Sequence, residues 1–322
     1  MTDYFFSHAR TALKYGLIVL DIQQGKKILI PDFICSVVLH PLEELGILPI
    51  YYPTLDDLSP NWNQLEKSID IDTKAILMVH YFGKPQDISR FQNFCRKKEL
   101  FLIEDNAHGH GGKFKGKLLG KFGDIGISSP SKSISAMHSG GILFLNNDNL
   151  QITDSFQLTE YKVSIKQIFI KLNSKRLPGL KPFFKKYLLT RPSFEDPYAF
   201  HEPKIGDFLM DSNSKDEFVS VNWDKVKADR YSAYLDWAFF AEKNDLQPVF
   251  KELKQGFSPL CFPAYAKNSE IAKYWFNWGW KHGYHVYSWP ALPVEIIINN
   301  KNVVNRWERL ICFSTNNSPK HL

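Results

Sequence analysis

The side chains of this 322-residue chain that could do chemistry lie in four short segments, each following a run of apolar residues. Asp105 and Lys132 are the most informative of them. A lysine amine can bind an aldehyde covalently, and a carboxylate can keep a ring nitrogen protonated through a charge-assisted hydrogen bond. Pyridoxal phosphate (PLP) requires both groups, so the pair predicts a site for this cofactor. Many α/β proteins carry an acid after one strand and a lysine after another, and a helix-capping acid with an ordinary loop lysine remains the alternative.

The chain around these segments has the pattern of a mostly parallel sheet flanked by helices. Short runs rich in Ile, Leu and Val alternate with amphipathic stretches, as in repeated βαβ units. The predicted strands are Lys27–Pro31, Leu48–Tyr51, Lys74–His80, Leu100–Glu104, Asp124–Ser129 and Gly141–Leu145. The predicted helices are Ala9–Ile22, Ser36–Leu45, Trp62–Ile69 and Ile88–Lys98. Ligands bind beyond the carboxyl ends of such strands, so the segments beginning at Asp32, His80, Glu104 and Ser129 are expected to meet at one edge.

The second half of the chain predicts a smaller α+β domain. We expect a long helix near Trp223–Asn244 and a strand near Pro259–Ala264. A further helix is expected at Ser269–His282, capped by Ser269 and ended by Gly283. The domain boundary is placed so that residues 1–215 form the large α/β domain and residues 216–322 the small one.

Composition indicates a globular protein of the cytoplasm. Apolar residues make up 44% of the chain and charged residues 23%, which is enough to bury a substantial core. The four cysteines are far apart and form no CxxC pair, which argues against a disulfide framework and a zinc knuckle. The sequence has neither a run long enough to span a bilayer nor a signal-peptide pattern at its start.

A strongly basic segment supplies much of the net charge of +6. Nine Lys or Arg and no acid lie between Tyr161 and Phe194. Three interpretations of residues 162–191 remain: a solvated helix face, a patch for an anionic nucleotide-sugar or lipid-linked substrate, or a helix on a membrane surface. The solvated helix face is favoured over the other two interpretations. No nucleic-acid-binding motif accompanies the basic residues, so a nucleic acid is not expected as a partner.

Several sequence motifs resemble the DegT/StrS family of PLP-dependent nucleotide-sugar aminotransferases. The run FLIEDNAHGHGGKFKGKLLGKFGDIG is similar to the family's strand, EDAAxxxG, hairpin and GDxG sequence. Upstream, ILIPDFICSVV resembles "VPAYTCPSVV", VHYFGKPQDI resembles "VHLYGQPADM", and FSHARTAL resembles the "SGTAAL" loop. SKSISAMHSGG stands where the family has its lysine loop and GxGG. The resemblance runs from about Phe6 to Asn147, and more faintly from Asp224 to the end.

The resemblance implies a fold and three catalytic residues. The fold is the PLP-transferase fold type I, with a large domain around a mostly parallel sheet and a smaller C-terminal α+β domain. Asp105 is then the partner of the pyridine nitrogen, and Lys132 is the residue that binds PLP covalently. His108 stands where the family has Gln or His near the cofactor ring and its phenolic oxygen.

The resemblance also implies a set of cofactor-binding residues. The backbone N–H groups of Ala9, Arg10 and Thr11, at the start of the first helix, would bind the phosphate, as helix N-termini favour anions. Either Ser128 or Ser129 would add a hydroxyl group. Cys35 falls where many members place an aromatic residue or a cysteine against the ring face.

The chain departs from the family pattern in two places. Lys132 follows Gly126 by only six positions, which is fewer than is usual in the family. Residues 151–221 do not resemble the loop with which a partner subunit helps to close the family's active site. Substrate identity is therefore not inherited across that stretch.

The resulting functional expectation is an aminotransferase that converts a keto group on a nucleotide-linked sugar into an amine, with an amino acid, glutamate, as donor. A homodimer and a role in amino-sugar or surface carbohydrate biosynthesis are expected by analogy. Two alternatives stay open: another PLP reaction such as sugar dehydration, and a non-catalytic member that keeps the fold for binding. A metal site made by His108 and His110 is disfavoured, because the sequence places no third histidine or cysteine ligand.

Overall fold

The computed structural model describes residues 2–150, 157–164, 204, 206–253, 256–289 and 291–319. The basic segment of residues 162–191 lies outside them except for residues 162–164, so its three interpretations remain predictions. No helix in the described ranges is long and apolar enough to cross a membrane.

A mixed sheet forms the centre of the first domain. Its strand order is β1-β9-β8-β5-β4-β2-β3. The strands are β1 (Thr2–Phe6), β2 (Lys27–Pro31), β3 (Leu48–Tyr52), β4 (Thr73–Val79), β5 (Phe101–Asn106), β8 (Ile125–Ser128) and β9 (Gly141–Leu145). All neighbours are parallel except the two pairs made by β9, which runs antiparallel to β1 and to β8. The predicted mostly parallel sheet is confirmed.

Helices connect the parallel strands, as crossovers between parallel strands require. They are α1 (Ala9–Val19), α2 (Leu39–Glu44), α3 (Trp62–Leu65) and α4 (Ile88–Lys98), and short 3-10 helices extend α2 and α3 at Ser36–Val38 and Glu66–Ser68. The Asp87 side chain caps α4 by accepting a hydrogen bond from the Arg90 amide. A small hairpin of β6 (Lys113–Phe114) and β7 (Lys117–Leu118) lies between β5 and β8.

Strand β1 was missed by the sequence analysis. Its residues, TDYFF, are aromatic and polar rather than aliphatic, and it lies at the edge of the sheet. The five residues pair in register with β9, from Thr2 opposite Leu145 to Phe6 opposite Gly141. An edge strand is covered by less of the core, so its hydrophobic signal is weak.

The second domain is built on a four-stranded antiparallel sheet in the order β10-β11-β13-β12. Its strands are β10 (Gln247–Pro248), β11 (Cys261–Tyr265), β12 (Val286–Tyr287) and β13 (Leu310–Ser314). Helix α5 (Ser212–Ser220) leads into this domain. Its own helices are α6 (Trp223–Lys243), α7 (Ser269–Lys281), α8 (Val294–Asn299) and α9 (Lys301–Arg309). Aromatic side chains fill the core between sheet and helices: the Trp237 and Phe313 ring centroids are 4.7 Å apart.

The predicted cap of α7 was wrong by one residue. Asn268, not Ser269, is the N-cap, and its side chain accepts a hydrogen bond from the Ile271 amide. Asn is as good a cap as Ser, so the pattern Asn-Ser could not distinguish the two positions. The expected end at Gly283 agrees with the structure, because α7 stops at Lys281 and Gly283 has a φ of 78°.

Candidate active site

The carboxyl edge of the first sheet brings together three residues that the sequence analysis selected. Asp105 lies near the end of β5, and His108 lies in the turn that follows it. Lys132 ends a short 3-10 helix, Pro130–Lys132, directly after the neighbouring strand β8. Burial raises the pKa of the Asp105 carboxyl and lowers the pKa of the His108 imidazole, and the Lys132 charge acts on both groups in the lowering direction, so the three groups share one site.

Asp105 is a buried carboxyl group with one oxygen in use. Its Oδ1 accepts a hydrogen bond from the Ala107 amide at 2.8 Å, and only 6% of the residue is exposed. Burial raises the pKa of this carboxyl, although the Ala107 hydrogen bond and the Lys132 charge act in the opposite direction. No hydrogen bond to Oδ2 comes from the residues that the structure describes. A buried carboxylate of this kind is stabilised by a cationic partner such as a protonated ring nitrogen.

His108 is held as a neutral ring of one tautomer. The Phe82 amide donates a hydrogen bond to Nδ1 at 3.3 Å, which leaves the ring proton on Nε2. Burial lowers the pKa of His108 well below its ordinary value, and the Lys132 charge lowers it further. His108 can therefore act as a neutral hydrogen-bond donor through Nε2 near the cofactor ring.

Two aromatic rings fix the plane of His108. The Phe82 ring stacks on it at an interplanar angle of 18°, and the Trp289 ring meets it edge-on at 84°, with centroids 5.4 Å apart. Trp289 belongs to the second domain, and its carbonyl oxygen accepts a hydrogen bond from the Trp307 indole at 3.0 Å. Sequence reasoning missed Trp289, for which the only signal was a tryptophan beside a proline after the last predicted helix.

The turn after β4 presents the Phe82 amide to His108. Phe82 has a φ of 53° and Gly83 a φ of 87°. A Cβ on Gly83 would lie 2.0 Å from the Ser258 carbonyl oxygen, so no other residue fits this position. A Cβ on Gly109 would also overlap with the backbone, because it would lie 2.7 Å from the Gly83 Cα. The turns after β4 and β5 therefore touch backbone to backbone.

The start of α1 has the properties of an anion site. His8, the N-cap, makes no side-chain cap hydrogen bond, and the first turn contains no acid. The backbone N–H groups of Ala9, Arg10 and Thr11 are thus not satisfied by a cap, and the helix dipole favours a negative charge there. The start of α1 also lies against β9, since a Cβ on Gly141 would be 2.2 Å from the His8 carbonyl carbon.

The Arg10 side chain is directed elsewhere. It lines a small cavity between α1 and α2 together with Lys14 and His40. Burial, and next the charge of Arg10, lower the pKa of His40. The Arg10 guanidinium therefore lies on the side of α1 that faces α2.

The two candidate serines have different surroundings. Ser128 is fully buried; its hydroxyl donates to the Asn106 carbonyl at 3.3 Å and lies 2.8 Å from His110 Nδ1. The Ser129 hydroxyl donates to the Gly140 carbonyl at 3.2 Å, and the Gly140 amide donates to the Ser7 carbonyl at 2.7 Å. Ser129 is therefore the serine joined to the segment that begins α1.

Cys35 begins the 3-10 helix after β2 and is half-buried. The next residue, Ser36, donates its amide to the Ala291 carbonyl at 2.9 Å. Nearby Phe33 contacts the Trp289 ring, with centroids 5.4 Å apart. The segment that carries Cys35 is thus tied to the segment that covers His108.

The remaining histidines near the edge have structural contacts. His80 Nε2 lies 2.8 Å from Glu104 Oε1, both side chains are fully buried, and His80 Nδ1 accepts from the Gln86 amide at 3.1 Å. Burial raises the pKa of Glu104, but hydrogen bonds from His80 and from backbone amides outweigh it and hold the pKa below its usual value. Burial lowers the pKa of His110 to about 3. In the described ranges, no three His, Cys, Asp or Glu side chains form a group that could hold a metal ion.

The loop after Lys132 is anchored to the beginning of α5. The Asp211 carboxylate accepts hydrogen bonds from the Ser139 hydroxyl at 2.6 Å and from the Ser214 amide at 3.0 Å. The Ser214 hydroxyl in turn accepts from the amides of His138 and Ser139. Burial raises the pKa of Asp211, but the hydrogen bonds from Ser139 and Ser214 outweigh it and hold the pKa below its usual value. The sequence gave no signal for this contact, because the partners are over 70 positions apart.

Comparison with known proteins shows similarity to a family of aminotransferases. The DegT/DnrJ/EryC1/StrS aminotransferase family matches the chain over residues 6–162. The first half of the chain is therefore similar to this family. GDP-perosamine synthase of Escherichia coli O157:H7 is 31% identical over 150 residues, which cover 45% of this chain and 40% of that protein. The corresponding enzyme of Vibrio cholerae is 30% identical over 145 residues, or 44% of this chain and 39% of that protein. The chain thus aligns with less than half of the length of these relatives.

Solved structures extend the similarity of fold to nearly the whole chain. An aminotransferase of Helicobacter pylori, PseC, superposes with a TM-score of 0.69 at 18% identity over 98% of this chain and 81% of its own. A putative sugar aminotransferase of Streptococcus pneumoniae in its PMP form gives 0.71 at 16% identity, over 98% and 82%. The predicted PLP-transferase fold is confirmed, with its large and small domains.

The residues present fit the cofactor that is characteristic of this family, PLP. A buried carboxyl group with an unused oxygen suits a protonated ring nitrogen, and an exposed lysine beside it suits an aldehyde. An uncapped helix N-terminus suits a phosphate. Each feature matches one functional group of the same small molecule.

Proposed function

We propose that the chain is a PLP-dependent aminotransferase that acts on a nucleotide-linked keto sugar and takes its amino group from an amino acid, glutamate. The observation that carries this proposal is the convergence of Asp105, His108 and Lys132 at one sheet edge, in a chain segment that matches an aminotransferase family. The names of the aligned relatives support a nucleotide-sugar substrate. One is a GDP-perosamine synthase, and another is a dTDP-linked keto-sugar 4-aminotransferase that is 28% identical over 155 residues.

The proposed roles follow from the surroundings of each residue. Bound PLP supplies an electron sink for the carbon that gains or loses the amino group. Asp105 keeps the ring nitrogen protonated through its buried carboxylate. His108 donates from Nε2 toward the ring oxygen, and its lowered pKa keeps it neutral. Lys132 would hold the cofactor and, when an amino substrate displaces it, its amine would serve as general base and acid that moves a proton between the substrate carbon and the cofactor carbon.

Phosphate binding is proposed for the start of α1. The amides of Ala9, Arg10 and Thr11 supply donors there, and the Ser129 hydroxyl is the serine that we assign to the phosphate. Cys35 is proposed to face the ring. We further propose that the protein works in the cytoplasm as a homodimer with amino-sugar or surface carbohydrate biosynthesis as its setting. Light scattering on the purified protein tests the dimer.

Borohydride trapping tests the cofactor and the lysine together. The purified protein is supplied with PLP, reduced with borohydride and digested, and the modified peptide is identified by mass spectrometry. We expect a coloured protein and a reduced adduct on Lys132. The Lys132→Ala variant should lose the adduct, whereas Lys117→Ala, which removes an exposed lysine of the β6-β7 hairpin, should keep it. A colourless wild-type protein with an unmodified Lys132 would overturn the proposal.

A half-reaction with glutamate distinguishes amine transfer from other PLP reactions. We expect glutamate alone to bleach the visible absorption of the loaded protein and to yield 2-oxoglutarate in an amount equal to the sites. Loss of a sugar hydroxyl without formation of 2-oxoglutarate would instead indicate a dehydratase.

A further inference from the structure

Arg230 is a buried cation at the junction of the two domains. It lies on α6, and only 4% of it is exposed. Burial lowers the pKa of its guanidinium. No described carboxylate forms a salt bridge with it. Since a buried charge without a counter-charge is costly, its hydrogen-bond partners must hold it in place.

The guanidinium contacts three separate segments of the chain. Nη2 donates to the Ser133 carbonyl at 2.8 Å and to Asn316 Oδ1 at 2.8 Å. Nη1 donates to the carbonyls of Pro259 and Leu260 at 3.3 and 3.2 Å. All of these acceptors are neutral. The planar fork of an arginine can reach several carbonyls in fixed directions, which a lysine cannot do.

One of these segments carries the candidate cofactor lysine. Ser133 directly follows Lys132 and caps the short 3-10 helix Pro130–Lys132, where its amide donates to the Pro130 carbonyl at 2.9 Å. The far end of the same loop is fastened by Asp211 at Ser139. Arg230 thus holds the near end of the loop and joins it to the end of β13 in the second domain.

We propose that Arg230 is a positioning residue that fixes the direction of Lys132 by holding the Ser133 carbonyl. This inference rests on the proposed PLP chemistry, in which Lys132 must meet an aldehyde at a defined point. Arg230 itself touches neither cofactor nor substrate. Its effect is confined to steps in which the lysine takes part.

A comparison of PLP with pyridoxamine phosphate distinguishes the positioning of Lys132 from a general loss of protein stability. PLP binding uses the lysine covalently, whereas pyridoxamine phosphate fills the same site without a bond to Lys132. We expect Arg230→Met and Arg230→Lys to weaken PLP binding about 10-fold, the equivalent of one hydrogen bond to a charged group. Binding of pyridoxamine phosphate should change less than about twofold. In a Lys132→Ala background, Arg230→Met should change neither affinity.

Arg306→Lys is the matched control. Arg306 is another buried arginine of the second domain, and it donates to the Leu55 carbonyl and to Thr54 without contacting the lysine loop. We expect it to leave the ratio of the two affinities unchanged. If Arg230→Met weakens both ligands equally, or still weakens PLP binding when Lys132 is absent, the positioning role is wrong.

Amide hydrogen exchange provides a readout that needs no cofactor. In the cofactor-free protein, Arg230→Met should speed exchange at Ser133 and Ile134 about 10-fold relative to Arg306→Lys, because the carbonyl that holds the turn loses its donor. Unchanged exchange would overturn the inference even if the protein binds PLP. If the wild-type protein binds neither ligand but Arg230→Met still speeds exchange at Ser133 and Ile134, the proposed function is refuted while the link between Arg230 and the loop stands.

Discussion

The Phe82 amide lies 3.3 Å from Nδ1 of His108 and thereby determines which ring nitrogen carries the proton. The hydrogen bond is made by a residue with a φ of 53°, a conformation that few non-glycine residues adopt. Backbone strain of this kind costs of order 1–3 kcal/mol and is found where function requires a particular geometry. The strained turn after β4 therefore sets the tautomer of His108, which follows β5.

His108 is expected to remain neutral throughout the physiological pH range. Its pKa is lowered well below the ordinary histidine value by burial and by the charge of Lys132. Nitrogen-detected NMR of the cofactor-free protein should show the Nε2–H tautomer with no titration between pH 6 and 8. An inflection of His108 near pH 6.5 would contradict the assigned tautomer.

Asp105→Asn should have opposite effects on stability and on chemistry. Burial raises the pKa of Asp105, so its ionised form is disfavoured in the folded, cofactor-free protein, and at pH 7 the neutral amide should increase the free energy of unfolding. The glutamate half-reaction should slow by about 10²-fold or more, because the ring nitrogen loses its carboxylate. Urea unfolding and stopped-flow absorption measure the two effects. A slower reaction with no gain in stability would show that Asp105 is not under strain.

Gly83→Ala should disrupt the site through the backbone. The new methyl group would lie 2.0 Å from the Ser258 carbonyl oxygen, at a φ of 87°. We expect a loss of about 3 kcal/mol or more in the free energy of unfolding, since both overlap and strain must be relieved. Gly116→Ala is the matched control: its φ is 79°, but its Cβ position has no atom within 4 Å. It should cost about 1 kcal/mol. Equal losses would show that the Gly83 contact can relax.

Asp211→Asn should release the lysine loop in a pH-dependent way. Hydrogen bonds from Ser139 and Ser214 hold the pKa of Asp211 below its unfolded value. The stability contributed by its ionised form is therefore present above about pH 4 and is lost as the pH falls through the lower folded value. We expect the variant to be about 1 kcal/mol less stable at pH 7 and the difference to shrink toward pH 3. Thermal unfolding across this range measures it, and a difference that grows on acidification would contradict the assignment.

The sequence was sufficient to predict the first sheet. Strands β2 and β9 and helix α4 have the predicted bounds, because each combines a buried run with a clear turn or cap. The grouping of Asp105, His108 and Lys132 at one edge was also predictable, since they lie at or just after the carboxyl ends of neighbouring strands, whereas their catalytic roles stay predictions. The boundary at residue 215 stays a prediction.

Long-range contacts of the site could not be read from the sequence. Arg230, Trp289 and Asp211 are about 70 to 180 positions away from the residues that they contact at the site, and no local sequence pattern marks these contacts. The different contacts of Ser128 and Ser129 could not be predicted from the sequence either. Ser128 ends β8 and Ser129 follows it, and only the structure shows that Ser128 is the serine beside His110.

The two fastenings of the Lys132 loop also bear on the order in which the chain folds. Asp211 and Arg230 are 72 and 97 positions away from the loop residues that they bind. Contacts between residues so far apart in the chain form late in folding, because the conformational entropy of a long loop must first be lost. The first sheet can form its parallel pairs before the lysine has its final direction. During refolding, the gain of cofactor colour should therefore lag behind the gain of secondary structure and report the docking of the second domain.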